Sequence, residues 1–182
     1  MRLPSYEPAR IHRLLAAAAL VAALWGVRAD LPAGFALHFL GAALMYLMFG
    51  APLALAGMAI AAAIATVLGG GGWASWPVLW LADGLVPVLC AFAAHRLVER
   101  IAPPNLFVYV FGAAFAGAGL SMIASLAAHR LLGDSVEPFV ALGLMLGFGE
   151  AFLTGGLVTL FVVYRHEWVS TFDDSRYLAR QQ

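Results

Sequence analysis

The sequence predicts an all-α integral membrane protein: a bundle of about six transmembrane helices with both termini in the cytoplasm. Of its 182 residues, 63% are hydrophobic and only 11% are charged, whereas a soluble domain carries about a quarter charged residues. Its mean hydropathy is +0.90, and its apolar runs approach the roughly 20 residues that a helix needs to cross a bilayer. The uneven distribution of its arginines indicates which side each loop occupies.

Six apolar runs separated by short connections predict a single transmembrane domain over residues 1–182. The predicted spans are residues 14–27, 31–49, 53–68, 78–94, 106–128 and 139–164, followed by a cytoplasmic tail over 165–182. Glycine and proline mark the connections, because both residues end helical runs.

The arginines set the predicted orientation, since cytoplasmic loops carry an excess of positive charge. With both termini inside, the cytoplasmic arginines are Arg2, Arg10, Arg13, Arg96, Arg100, Arg165, Arg176 and Arg180. Only Arg28 and Arg130 then lie outside. An even number of spans agrees with this asymmetry.

Charge balance argues against a nucleic-acid partner and leaves membrane lipid as the expected surroundings. The sequence contains ten cationic side chains and ten carboxylates, so it has no surplus of basic residues. The chain has a single cysteine, Cys90, which excludes a disulfide framework. It also lacks a P-loop, a Gly-x-Ser-x-Gly elbow and a His-Glu-x-x-His motif, so we expect no enzyme activity and no intrinsic cofactor.

His38 is the main candidate for a metal ligand. It lies near the outer end of the second predicted span, where an ionisable side chain is costly and therefore a functional candidate. Imidazole is also the commonest transition-metal ligand. The alternative is a histidine that only bonds a backbone carbonyl of a neighbouring helix.

Asp83, Glu150 and Thr154 are candidates for a polar lining inside the bundle. Asp83 comes early in the fourth predicted span and alternatively faces the outer interface. Glu150 lies well inside the sixth span, where a carboxylate must be protonated, paired or hydrated. Thr154 follows one turn later on the same face, so a local hydrogen bond between the two is the alternative.

His129 is a possible second imidazole, because it ends the fifth span on the same outer side as His38. Two facing histidines can ligate a haem, which defines a third interpretation of the chain as an electron-transfer anchor. The remaining histidines, His12, His95 and His166, are expected to be solvated at the cytoplasmic ends of spans.

Alanines at four-residue spacing on the first span predict a helix face that lacks large side chains. These are Ala18, Ala19, Ala22 and Ala23. Small residues allow close approach of membrane helices, so this face either packs within the monomer or docks a partner.

Three parts of the sequence resemble the cobalt/nickel permeases of CbiM and NikM type, which belong to the energy-coupling-factor transporters. They are the C-terminal segments 148–155 and 162–178, the stretch 104–111, and the segment 38–44 that begins with His38. The resemblance extends over about residues 35–178.

This resemblance implies a substrate-binding subunit, or S component, for nickel or cobalt in a bacterial-type cytoplasmic membrane. Such a subunit works with a transmembrane coupling subunit and ATPase subunits. It also implies that His38, in a His-x-x-Gly segment, helps to bind the metal. Members of the family begin Met-His-Ile, whereas this chain begins Met1-Arg2-Leu3. That difference favours the alternative of a non-transporting structural or accessory subunit of a larger membrane complex.

Overall fold

A computed structural model describes residues 8–27, 29–30, 36–70, 72–134 and 136–177. Within these ranges, five helices are long and apolar enough to cross a membrane: α1 Pro8–Gly26, α3 Ala51–Gly69, α4 Trp73–Ile101, α5 Leu106–Leu131 and α6 Phe139–Tyr164. The shorter elements are the strands β1 Ala29–Asp30 and β2 Ala36–Leu37, the helix α2 Ala42–Phe49, the 3₁₀ turn His166–Trp168 and the one-turn helix α7 Asp174–Tyr177. The predicted all-α membrane bundle is confirmed.

The second predicted span, 31–49, is not a continuous helix over its described part. Only Ala42–Phe49 is helical, which at about 1.5 Å per residue covers about 12 Å. Gly41 adopts the left-handed conformation with φ 69°, so the helix begins only after it, and residues 38–40 are irregular. Residues 31–35 of this prediction lie outside the described residues.

The chain nevertheless returns across the bundle between α1 and α3. A Cβ added at Gly57 of α3 would lie 2.9 Å from Leu14 Cδ1 of α1, so the beginnings of the two helices lie side by side and the helices run parallel. At the end of α2, Phe49 O accepts a hydrogen bond of 3.0 Å from Arg10 Nη2 at the start of α1. Residues 38–49 therefore form a broken crossing, in which an irregular segment is followed by a half-helix.

With this broken crossing the described chain crosses six times and begins and ends on the same face of the bundle. We call this the Arg10 face, and the opposite one, where α5 ends, the Arg130 face. Later helices alternate in direction: Trp76 Nε1 of α4 donates to Ala59 O of α3 at 3.1 Å. Helices α5 and α6 approach most closely where a Cβ added at Gly119 would lie 3.2 Å from Gly147 O.

The C-terminal residues 168–177, here called the strap, hold the end of the half-helix. A helix leaves its last four carbonyls without helical partners, but all four of these carbonyls accept a hydrogen bond. The bonds are Gly50 N to Tyr46 O, Thr171 N and Thr171 Oγ1 to Leu47 O, Ser170 N to Met48 O, and Arg10 Nη2 to Phe49 O.

The alanines of α1 divide into a buried pair and an exposed pair. Ala18 is 0% and Ala22 is 3% exposed, since α1 packs chiefly against α3. The docking prediction is therefore corrected for this pair, which serves packing within the bundle. Ala19 and Ala23 are exposed and remain accessible to a partner.

Candidate functional site

Three residues that the sequence singled out meet inside the bundle: His38 from the broken crossing, Asp83 from α4 and His129 from α5. Asp83 is only 2% exposed, which excludes the alternative that it faces the outer interface. It lies in a π-helical stretch, Trp80–Leu85. Such stretches interrupt the regular α-helical register and are frequent at functional sites.

One oxygen of Asp83 is held by α5, and the other is left open. Asp83 Oδ1 accepts hydrogen bonds from Ser125 Oγ at 2.8 Å and from His129 Nε2 at 2.9 Å. Asp83 Oδ2 has no hydrogen-bond partner among the described residues. His38 Nε2 lies 3.8 Å from it, which is too far for a hydrogen bond.

His129 connects Asp83 to a second carboxylate near the Arg130 face. Its Nδ1 lies 2.7 Å from Asp134 Oδ2, while its Nε2 lies 2.9 Å from Asp83 Oδ1. An imidazole donates from both nitrogens only when it is protonated. Two carboxylates around one imidazolium have a net charge of −1, which attracts a cation. Together, His38, Asp83, Ser125, His129 and Asp134 form what we call the polar cluster.

His38 directs its Nε2 towards the open carboxylate oxygen. Its Nδ1 lies 3.3 Å from Phe39 O, which can only accept a hydrogen bond, so in the neutral form of the ring Nε2 is the nitrogen left for a metal ion. The ring packs 5.2 Å from Trp25, centroid to centroid, and the side chain is 11% exposed. Two atoms of metal-ligating type, His38 Nε2 and Asp83 Oδ2, therefore face each other 3.8 Å apart.

The spacing of these two atoms suits a shared metal ion. Ligand atoms about 2.1 Å from one ion can lie up to about 4.2 Å apart, and the observed separation is 3.8 Å. Within the described residues, no group of three or more His, Cys, Asp and Glu side chains is arranged to hold a metal ion. His38 and Asp83 could thus supply at most two ligands, and a complete metal site would need further donors such as water.

The haem interpretation finds no support in this geometry. Asp83 contacts both imidazoles, His129 through Oδ1 and His38 through Oδ2. A haem between the two rings would have to occupy the space of that carboxylate.

Glu150 does not belong to the metal pair, as we call His38 and Asp83. It bonds the backbone of the broken crossing instead. Its Oε1 accepts from Gly41 N at 2.8 Å, and its Oε2 accepts from Leu40 N at 2.9 Å. The alternative of a local bond to Thr154 is thus replaced by a contact between segments 110 residues apart. Thr154 is buried, with 1% exposure.

Several polar residues of the interior were missed by sequence reasoning. Ser125 lies one turn before His129 on the same face of α5, a spacing that could have signalled it. Asp134 follows α5 in a loop, and no local pattern marks it. His95 was expected to be solvated, but it is buried and lies 2.8 Å from Tyr46 Oη through Nδ1. His12 and His166 are exposed, as expected.

Comparison with known proteins identifies the family. Residues 4–168 match the family model CbiM, described as cobalt uptake substrate-specific transmembrane region. No curated protein and no solved structure matches the chain. Because the family match covers nearly the whole sequence and the fold is a membrane bundle, the chain belongs to the CbiM family of cobalt uptake transmembrane proteins.

Proposed function

We propose that this protein is the substrate-binding subunit of an energy-coupling-factor transporter and that it captures a divalent transition-metal ion between His38 and Asp83. The observation that carries the proposal is the approach of an imidazole nitrogen and a carboxylate oxygen that lacks a hydrogen-bond partner among the described residues, His38 Nε2 and Asp83 Oδ2, 3.8 Å apart. A cation between them would be bound by both atoms. The excess negative charge of the polar cluster acts in the same direction.

The ligand types suit a first-row transition metal. Imidazole binds such ions well, and carboxylate is a harder ligand that they also accept. Asp83 Oδ1 is oriented by Ser125 and His129, as carboxylates that ligate metals are commonly held by hydrogen bonds. The family match favours cobalt as the substrate, and nickel is the second candidate.

The orientation of the bundle follows from its arginines. The Arg10 face carries Arg10, Arg13, Arg96, Arg100 and Arg165, whereas the opposite face carries Arg130 among the described residues. By the positive-inside rule, the Arg10 face lies on the cytoplasmic side of a bacterial-type inner membrane. The polar cluster is then reached from outside, as capture of an external ion requires.

Uptake against a gradient needs energy that this chain does not supply. Its sequence has no nucleotide-binding motif, and the family is one of transport rather than catalysis. We therefore infer a non-enzymatic subunit that works with a transmembrane coupling subunit and ATPase subunits.

Metal binding by the purified protein tests the proposal directly. Titration calorimetry with Co²⁺ and with Ni²⁺, checked by elemental analysis, should show binding to the native chain. His38→Ala and Asp83→Asn should each abolish it, since each removes one of two protein ligands. His166→Ala, an exposed histidine on the Arg10 face, is the control and should bind like the native chain.

Undiminished binding in both His38→Ala and Asp83→Asn would refute the site. Absence of any bound metal in the native chain would instead favour the second candidate, a non-transporting accessory subunit of a larger membrane complex. The observation that favours this candidate is that only two side-chain ligands come together in the described residues.

A further inference from the structure

The carboxylate of Glu150 is buried inside the bundle, next to the irregular segment of the broken crossing. Glu150 is 0% exposed and lies near the middle of the 26-residue helix α6. An ionisable group at this depth is expensive and marks a functional candidate. The metal pair does not include it, so the position requires another explanation.

The unwound backbone of the broken crossing supplies the partners of this carboxylate. Irregular backbone at membrane depth is tolerated only where its polar groups are satisfied by protein or water. Leu40 N donates to Oε2 and Gly41 N to Oε1, at 2.9 and 2.8 Å. Each carboxylate oxygen thus takes one N–H group. An ionised carboxylate accepts through both oxygens, whereas an amide offers one acceptor.

The same short segment is held by two further contacts. Trp25 Nε1 of α1 donates to Leu40 O at 3.2 Å, so Leu40 is bound through both its N–H and its carbonyl. A Cβ added at Gly149 would lie 2.9 Å from Phe39 Cε1, so a side chain there would displace the Phe39 ring. Residues 39–41 are therefore fixed between α1 and α6.

This fixed segment begins one residue after His38. With residues 39–41 immobilised, the backbone of His38 has a defined place, and its ring lies against Trp25 with Nε2 towards Asp83. Both oxygens of Glu150 accept hydrogen bonds from this backbone, so Glu150 acts on His38 through residues 40–41.

We infer that Glu150 is a positioning residue: by binding the N–H groups of Leu40 and Gly41 it holds His38 opposite Asp83, in the geometry for metal capture. This inference rests on the proposed function for its metal readout. Its structural half, the fixation of residues 38–41, is independent of any metal.

The test combines two measurements on the full chain in detergent or nanodiscs. The first is the ¹⁵N–¹H indole signal of Trp25 without metal, assigned with Trp25→Phe, because this indole bonds Leu40 and packs on His38. The second is Co²⁺ affinity by titration calorimetry, below the unfolding temperature of each variant. Glu150→Ala removes both acceptors, and Glu150→Gln keeps the size but only one acceptor. Thr159→Val is the control on the same helix, since the Thr159 hydroxyl bonds Gly155 O within α6.

We expect Glu150→Ala to shift the Trp25 signal and to weaken Co²⁺ binding about 10- to 100-fold, the range typical of groups that orient metal ligands. Glu150→Gln should lie between Glu150→Ala and the native chain, and it carries the test if Glu150→Ala does not fold. Thr159→Val should change neither readout.

Two results would overturn the inference: an unchanged Trp25 signal in both Glu150 variants, or a shifted signal with native Co²⁺ affinity, which leaves Glu150 a purely structural role. If the native chain binds no Co²⁺ while the Glu150 variants still shift the Trp25 signal, the proposed function fails and the fixation of residues 38–41 stands.

Discussion

The buried ionisable residues Glu150 and His129 are held by specific hydrogen-bond partners, whereas Asp83 Oδ2 has none among the described residues. Glu150 bonds two backbone N–H groups, and His129 lies between two carboxylates. Since unpaired charge at membrane depth is costly, the one open oxygen of Asp83 is informative. It faces the imidazole of His38, where a cation would complete the pairing.

Gly41 is the residue on which the break of the second crossing depends. Its φ of 69° is unfavourable for a residue with a side chain, and a Cβ there would lie 3.0 Å from Val21 Cγ2. Gly41→Ala should therefore lower the free energy of unfolding by about 1–2 kcal/mol from backbone strain alone. Unfolding in mixed micelles, followed by circular dichroism, measures this loss.

The control for this prediction is Gly156→Ala in α6. No atom lies within 4 Å of a Cβ added at Gly156, and its φ is not positive. Alanine there should leave stability unchanged or raise it by about 0.5–1 kcal/mol, because glycine weakens a helix interior. Equal losses in the two variants would show that the left-handed conformation of Gly41 contributes nothing.

At the scale of elements, the half-helix α2 is supported at both ends. Glu150 binds the backbone just before it, while Arg10 and the strap bind its terminal carbonyls. A helix of eight residues has little stability of its own, so these tertiary bonds account for its persistence. The broken crossing, which carries His38, is thus connected to the strap.

Of the strap residues, Thr171 is the one whose substitution should lower the stability of the protein most. Its Oγ1 donates to Leu47 O at 2.9 Å and accepts from the buried Tyr109 Oη at 2.7 Å. Thr171→Val leaves the Tyr109 hydroxyl without this partner, which should cost about 1–3 kcal/mol of stability. Thermal unfolding measures the loss.

The same substitution at Thr159 is a suitable comparison, since its hydroxyl bonds only Gly155 O within its own helix. Thr159→Val should cost less than Thr171→Val. In the Tyr109→Phe background the effect of Thr171→Val should shrink, because the unsatisfied hydroxyl is gone. Fully additive losses would argue that the two hydroxyls do not interact.

At the scale of the whole molecule, α1 presents an exposed face that a membrane partner could contact. Ala19 is exposed, whereas Ala18 faces the bundle interior with 0% exposure. If the exposed alanines contact a coupling subunit, Ala19→Leu should reduce the amount of complex recovered on co-purification without lowering the stability of this subunit. Bulk at this position prevents close approach of helices.

Ala18→Leu should behave in the opposite way, because overfilling a packed interior costs about 1–3 kcal/mol of stability in the isolated subunit. Comparing recovered complex with thermal stability for the two variants separates docking from internal packing. Native recovery of the complex with Ala19→Leu would exclude this face of α1 as the contact.

Much of the fold could be predicted from composition and spacing. Five of the six predicted spans correspond to long apolar helices, since hydrocarbon thickness sets the length of such runs. His38, Asp83 and His129 were also found from sequence, because polar side chains within apolar runs are rare and costly. The second span was wrong as a continuous helix over its described part. Its apolar residues fit a helix equally well, whereas the left-handed Gly41 and the tertiary bonds to the N–H groups of Leu40 and Gly41 favour the break.

The amino-acid sequence by itself determined that this chain is a membrane bundle, because once a helix satisfies its own backbone hydrogen bonds, its side chains decide the free energy of transfer from water to lipid. It also determined which few residues are chemically unusual there. The tertiary structure decided how those residues are paired: Asp83 with His38 and His129, and Glu150 with backbone 110 residues away. Such pairings join distant segments through distances and directions, and these exist only once the helices have packed.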